Sequence, residues 1–199
     1  MRAMVAALAV VVVAGCASTV GTRPSTPVST VSPTYSCTNA DRTSVSPCSK
    51  ESYDAAEKHL ALVEEAKGVY RRQIEERKRL MAAGGVADPA PTGEIEATMA
   101  DPAKSDFMQL MKYQRDQGIK PLQLKFQATM RESDQPVTPD ALVTLQSCED
   151  GRGSRYVDAT GKDLGESVLL VYRWSFRRYD GALKMYASQF EPADTCPIP

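Results

Sequence analysis

The sequence has little of what metal-dependent or nucleotide-dependent catalysis requires. It contains one histidine, His59, and no two of its cysteines have the close CxxC spacing of a zinc site. A Walker loop, an HExxH motif, a Gly-x-Ser-x-Gly elbow and a dinucleotide fingerprint are also absent. We therefore expect no metal, no cofactor and no catalytic site of a kind that these motifs mark.

An excess of charge of either sign is also missing. The chain has 24 Lys and Arg residues against 25 Asp and Glu residues, a net charge of −1, so it lacks the broad positive surface of a nucleic-acid-binding protein. Glu64, Glu65, Glu75 and Glu76 are interleaved with its densest basic cluster, and such mixed charge predicts a solvated helix face. The cluster consists of Arg71, Arg72, Arg77, Lys78 and Arg79.

The sequence also lacks a long hydrophobic run. Residues 3–13 are almost entirely apolar, but this stretch is far shorter than the roughly 20 residues that span a bilayer. Arg2 precedes the stretch, and the small residues Ala14 and Gly15 follow it, directly before Cys16. A positive start, a short apolar stretch and a small-residue cleavage site indicate a signal peptide over residues 1–15.

The residues Val13-Ala14-Gly15-Cys16 resemble the bacterial lipobox. The resemblance implies that Cys16 is acylated, with palmitate-type chains, and becomes the mature N-terminus on the extracytoplasmic face of the cell membrane. Each buried methylene contributes about 0.8 kcal/mol, so several chains together can hold a domain at a membrane surface. The alternative is an ordinary secretory signal with an incidental cysteine.

The other cysteines form an even set, Cys37, Cys48, Cys148 and Cys196, which suits an oxidising compartment. Three pairings are possible. We favour Cys37 with Cys48, because both lie in one proline-bounded segment, and Cys148 with Cys196, which would fasten the C-terminal tail to a strand. In the chain-entropy model these bonds contribute about 3 and about 4 kcal/mol.

The rest of the chain divides at residue 49. Residues 16–49 are dominated by Ser, Thr and Pro, and have too few large apolar side chains to offset the entropy of ordering. They predict a lipidated cysteine followed by a tether that holds the folded domain away from the envelope. Residues 50–199 have the length of one domain.

That domain begins with a predicted long helix, which Ser49 or Ser52 can cap and Gly84-Gly85 can end. Its apolar residues have helical spacing, as expected of a helix that lies on a sheet. His59 is at the border of this stripe, where we expect a surface or satisfied core position and not a catalytic one. The stripe comprises Tyr53, Ala56, Leu60, Leu62, Val63, Ala66, Val69, Tyr70, Ile74 and Leu80.

Two further helical segments follow. A brief turn is predicted at residues 94–99, within a loop rich in Pro and Gly. Asp101-Pro102 then begins a second helix that ends at Gly118.

Beyond Gly118 the apolar period changes to two, which predicts strands at Leu122–Met130, Ala141–Cys148 and Arg155–Asp158. The last hairpin joins Ser167–Tyr179 to Ala182–Phe190 through Asp180-Gly181, the favoured type I′ loop. Pairing outward from the loop opposes Phe176 with Met185, Trp174 with Ala187, Arg177 with Lys184, and Ser175 with Tyr186.

Helices followed by antiparallel strands indicate an α+β fold. Their order resembles the NTF2-like fold, in which a long N-terminal helix and a second helix pack on a curved antiparallel sheet to form a cone. The chain is similar to small actinobacterial lipoproteins in Val69-Tyr70-Arg71, Ala83-Gly84-Gly85 and Cys148-Glu149-Asp150. This resemblance covers roughly Lys50 to Cys196 and implies structure, whereas fold alone does not imply function.

Function is inferred from the predicted inner face of the sheet, which is apolar and offers no Asp–His pair for proton transfer. We expect a membrane-anchored, non-catalytic binding or scaffolding module for an envelope protein or an apolar small ligand. One alternative is an acid–base enzyme of isomerase or dehydratase type, using Asp158, Tyr156 or Tyr172. Another is a conjugation or phage superinfection-exclusion lipoprotein. The predicted inner positions are Leu122, Leu124, Phe126, Met130, Trp174, Phe176 and Met185.

Overall fold

The computed structural model describes residues 34–38, 44–86 and 90–198. The predicted signal peptide, Cys16 and the predicted tether up to residue 33 lie outside these residues. One compact unit spans Tyr35–Pro199. Among the described residues, no helix combines the length and the apolar character needed to cross a membrane.

The unit is α+β, as predicted, with three helices in its described part: α1 (Lys50–Ala82), α2 (Gly93–Thr98) and α3 (Ala103–Asp116). The described strands are β1 (Tyr35–Thr38), β2 (Val45–Cys48), β3 (Lys120–Gln123), β4 (Gln127–Glu132), β5 (Val143–Asp150), β6 (Arg155–Val157), β7 (Asp163–Glu166), β8 (Leu169–Tyr179) and β9 (Ala182–Ala193). All strand pairs are antiparallel, in three sheets of order β1-β2, β3-β6-β7 and β4-β5-β8-β9.

The ends of α1 confirm the sequence prediction. The Ser49 hydroxyl accepts a hydrogen bond from the Ser52 backbone N–H at 3.1 Å, which satisfies one donor of the first turn. Gly84 and Gly85 follow the helix with φ of 80° and 95°. A Cβ at Gly85 would lie 2.2 Å from the Met111 carbonyl oxygen, so glycine also permits close packing of this turn on α3.

The main core forms between α1, α2, α3 and the four-stranded sheet. Tyr70, Ile95, Met111, Leu145 and Phe176 are among its fully or almost fully buried side chains. The C-terminal part of the predicted α1 stripe joins this core. Nearer the N-terminus, Leu60 is 48% exposed and lies outside this core.

The prediction of a single strand at Leu122–Met130 is wrong. The chain forms β3 and β4 instead, and these strands belong to different sheets. Between them the Lys125 N–H donates to the Ser154 hydroxyl at 2.9 Å, and that hydroxyl donates back to the Lys125 carbonyl. These contacts redirect the chain, so Leu122 is 64% exposed whereas Phe126 and Met130 pack against the core.

The last hairpin confirms the Asp180-Gly181 turn, where both residues have the positive φ of a type I′ loop, 50° and 81°. The pairs Phe176–Met185 and Arg177–Lys184 also match the prediction. Farther from the turn the predicted register is wrong, because the pairing shifts between Ser175 and Phe176. The residue skipped is Tyr186, whose hydroxyl donates to Asp140 Oδ1 at 2.6 Å and also contacts Thr138.

As a result of this shift, Ser175 opposes Ala187 instead of Tyr186, and Trp174 opposes Ser188 instead of Ala187. The bulge thus displaces every pair beyond it by one residue.

The sequence prediction also missed two structural features. Strand β7 lies between the strands predicted at Arg155–Asp158 and Ser167–Tyr179, where no strand was predicted. The β1–β2 hairpin lies within the range 16–49 that was assigned to the tether. Ordered structure in the described residues therefore begins before α1. Disulfide bonds join Cys37 to Cys48 and Cys148 to Cys196, the pairing favoured from the sequence.

Candidate functional site

A groove of about 810 Å³ lies between α1, the β1 strand and the end of β4. The N-terminal turns of α1 contribute Tyr53, Ala56 and Leu60, and β1 contributes its residues from Ser36 to Thr38. The opposite side is formed by Arg131 to Gln135. His59 and Leu60 are about half exposed, 50% for the His59 side chain and 48% for Leu60, so the groove opens to solvent.

The two walls of the groove differ in chemistry. Tyr53, Ala56 and Leu60 follow helical spacing and form an apolar wall. They continue the core stripe of α1 towards its N-terminus, where side chains of β1, β4 and β5 line the same groove. The opposite wall is polar, and the Arg131 Nε there donates to Gln146 Oε1 at 2.9 Å. A ligand that lies in the groove would thus contact apolar and polar surfaces at once.

His59 and Glu132 join the walls of the groove. The His59 Nε2 atom lies 2.5 Å from Glu132 Oε1, and the two side chains are 50% and 23% exposed. His59 is therefore at the surface, one of the two positions predicted for it, but it has a carboxylate partner that the sequence did not reveal. The two residues are 73 positions apart, so no local spacing could have indicated the pair.

Among the described residues that line the groove, acidic side chains outnumber basic ones. Glu57, Glu132 and Asp134 line it, against Arg131 and His59. In the part of the chain that the structure describes, neither Glu57 nor Asp134 forms an ion pair. Their carboxylates are available to a cationic group that enters the groove.

A second cluster of polar groups lies inside the domain. The Tyr70 hydroxyl donates to Glu149 Oε1 at 2.9 Å, and Arg77 Nη2 donates to Glu149 Oε2. The side chains of Glu149 and Arg77 are only 2% and 9% exposed. The Arg77 guanidinium also lies 4.9 Å from the centre of the Phe126 ring.

This cluster corrects two predictions. Arg77 was expected on a solvated helix face, and the inner face of the sheet was expected to be apolar. Both expectations fail because Glu149 points inward from β5 and a buried carboxylate requires a paired cation and hydrogen-bond donors. With both oxygens of Glu149 bonded, the cluster has the character of a structural ion pair.

The three residues considered for acid–base catalysis have pKa values that do not suit proton transfer near neutral pH. Burial raises the pKa of Tyr172 to about 12, and the Glu149 carboxylate adds to this effect. Burial also raises the pKa of Tyr156. The Asp158 pKa is lowered, mainly by a hydrogen bond from the Thr160 hydroxyl at 2.6 Å within a surface turn. Both tyrosines therefore stay protonated and Asp158 stays ionised near neutral pH. A general acid or base works best when its pKa lies near the operating pH.

No group of three or more His, Cys, Asp or Glu side chains within the described ranges could hold a metal ion. Comparisons with protein-family models, with curated proteins and with solved structures find no match.

Proposed function

We propose that this protein is a lipoprotein, anchored through Cys16 on the extracytoplasmic face of the cell membrane, whose domain binds an envelope partner without catalysis. The observation that carries the binding role is the open groove with one apolar and one polar wall. A ligand site needs concave apolar surface together with a few polar groups that fix orientation. The polar wall favours an envelope protein over an apolar small ligand as the occupant.

The proposed location has two independent supports. The Val13-Ala14-Gly15-Cys16 motif supports acylation at Cys16. The two disulfide bonds suit an oxidising compartment outside the cytoplasm, because cytosolic thiols are kept reduced.

We extend the proposal to the fold and infer an NTF2-like architecture. A long helix followed by a shorter one, both in contact with the last strand of a four-stranded antiparallel sheet, supports this assignment. An experimental structure in which the sheet does not curve around α1 would contradict it.

The binding role is tested by site-specific photocrosslinking in native membranes. A photoreactive amino acid replaces Gln135 in the groove, and, as a matched control, Lys162 in the exposed turn before β7. We expect a discrete crosslinked partner from position 135 and not from position 162, identified by mass spectrometry. Identical products from both positions, or none from position 135, would contradict a binding role for the groove.

The anchor is tested by metabolic labelling with palmitate. The wild-type protein should incorporate label, and Cys16→Ser should abolish it, because the serine hydroxyl cannot form the thioether of a lipoprotein. Cys148→Ser serves as the control, since Cys148 is bonded to Cys196 and should not affect labelling. An unlabelled wild-type protein would indicate an ordinary secretory signal.

A second candidate function, an acid–base enzyme, is favoured by the His59–Glu132 contact in the groove. An imidazole held by a carboxylate is a common proton-transfer arrangement. Its test is turnover of a panel of isomerase and dehydratase substrates by wild type, His59→Asn and Glu132→Gln. Turnover lost in both variants would support catalysis, and equal activity in all three would exclude this pair as its source.

A further inference from the structure

We propose that the partner is held through a segment of its polypeptide chain that places a Lys or Arg side chain against Glu57 and Asp134 and an apolar side chain against the apolar wall of α1. This inference rests on the proposed function, namely that the groove is the binding site. It adds the chemical class of the bound segment.

The charge of the groove favours a cationic ligand. Glu57 and Asp134 lie on different elements, α1 and the loop after β4, yet both line the same groove. Neither has an ion pair within the described residues, whereas Arg131 is oriented by its hydrogen bond to Gln146. A cationic side chain is the complement of this arrangement, and an anionic one would meet carboxylates on both sides.

The apolar wall of the groove favours a ligand that also has an apolar group. A free amine or a metal ion would use only the carboxylates and leave Tyr53, Ala56 and Leu60 in contact with water. A polypeptide segment can cover these side chains with an apolar residue and reach the carboxylates with a basic one. Because the groove is open to solvent at His59 and Leu60, a segment of a partner chain can reach it from outside.

The bound segment gains specificity because it must contact both the carboxylates and the apolar wall of the groove. Rim charges mainly set the rate of association and its dependence on salt, while buried apolar contacts slow dissociation. Binding should therefore weaken as ionic strength rises, since the Debye length falls to about 3 Å in 1 M salt. It should also depend on Leu60, which no electrostatic effect would explain.

The experiment uses the full chain and a library of random peptides of about ten residues, the upper length of a typical extended segment. We expect the selected peptides to be enriched in Lys or Arg together with an apolar residue. Their affinity, measured by fluorescence anisotropy, should fall about tenfold in the Glu57→Gln/Asp134→Asn variant and also in Leu60→Ser. The Asp106→Asn/Glu166→Gln variant, which removes two exposed carboxylates outside the groove, should bind as the wild type does.

A charge exchange provides the decisive comparison. Peptides whose basic residues are changed to Glu should lose binding to the wild type and regain it with Glu57→Lys/Asp134→Lys. Selection of acidic or uncharged peptides, equal binding by the groove and control variants, or no groove-dependent peptide at all would overturn the inference. If position 135 still crosslinks a partner in membranes, only the basic segment is refuted. If it crosslinks nothing, the binding role fails as well.

Discussion

Arg77 and Glu149 form an ion pair in the interior of the domain. Taking both charges out of water is costly, and the ion pair offsets that cost only while each keeps its partner. We predict that Arg77→Leu lowers the free energy of unfolding by about 3–5 kcal/mol, because Glu149 remains buried without its cation. Urea unfolding followed by circular dichroism measures this change.

The matched control for this prediction is Lys112→Leu, which removes a helix ion pair whose lysine side chain is 63% exposed. Such pairs contribute less than about 1 kcal/mol. The double variant Arg77→Leu/Glu149→Leu should recover much of the loss, since it leaves no uncompensated charge. Equal effects of Arg77→Leu and Lys112→Leu would show that the interior pair does not stabilise the fold.

Tyr172 makes stability depend on pH in the alkaline range. Its pKa is raised from 10.0 to about 12 in the folded protein, chiefly by burial. Between these values the unfolded chain releases the phenolic proton and the folded protein keeps it, so stability falls as pH rises from about 10 to about 12. The stabilisation is complete below pH 10, and the loss is at most about 2–3 kcal/mol.

We expect Tyr172→Phe to have a shallower decline of unfolding free energy than the wild type over this range. Urea unfolding at pH 8 provides the baseline, since neither protein loses this proton there. Tyr70 and Tyr156 also have raised pKa values, so a decline should remain in the variant. An identical slope in both proteins would refute the role given to Tyr172.

At the scale of the element, replacement of two glycines by alanine should change the stability of the protein in opposite directions. Gly68 lies within α1, where an added Cβ would have nothing within 4 Å, so Gly68→Ala should stabilise by about 0.5–1 kcal/mol. Gly85 has a φ of 95° and its Cβ would lie 2.2 Å from the Met111 carbonyl oxygen, so Gly85→Ala should destabilise.

Thermal unfolding of both variants checks this prediction. The melting temperature should rise for Gly68→Ala and fall for Gly85→Ala. A fall for both would show that α1 is restricted at Gly68 by a contact other than those described. An unchanged value for Gly85→Ala would show that the α1–α3 junction can move apart.

Elements were predictable where their signals are local. The Ser49 cap, the glycine end of α1 and the Asp180-Gly181 turn depend on residues within a few positions, and all three are found in the structure. The break between β3 and β4 was missed because it depends on Ser154, 29 residues from Lys125. The bulge at Tyr186 was missed for the same reason, since its partner Asp140 lies 46 residues earlier.

At the scale of the whole molecule, the candidate groove could not have been predicted. Its walls come from β1, α1 and the end of β4, which are far apart in the sequence, and β1 was read as part of the tether. The sequence supplied the individual side chains, including His59 and the apolar stripe of α1. It could not supply their juxtaposition, because no periodicity links position 59 to position 132.

The two disulfide bonds lie in different parts of the molecule, and only one of them is at the groove. Cys37 lines the groove and Cys48 ends the other strand of its hairpin, whereas Cys148 packs with Leu169 and Val171 in a separate apolar cluster. Removing the first bond should cost about 3 kcal/mol and removing the second about 4 kcal/mol in the chain-entropy model.

Binding should depend on only one of the two bonds, although the loss of either bond lowers stability. Cys37→Ala/Cys48→Ala releases the β1 wall and should reduce crosslinking from position 135. Cys148→Ala/Cys196→Ala should leave it unchanged at temperatures where the variant is folded. Circular dichroism establishes the folded fraction before each crosslinking measurement. Equal losses in both variants would mean that binding follows global stability, whereas loss in the first alone would show that the hairpin forms the site.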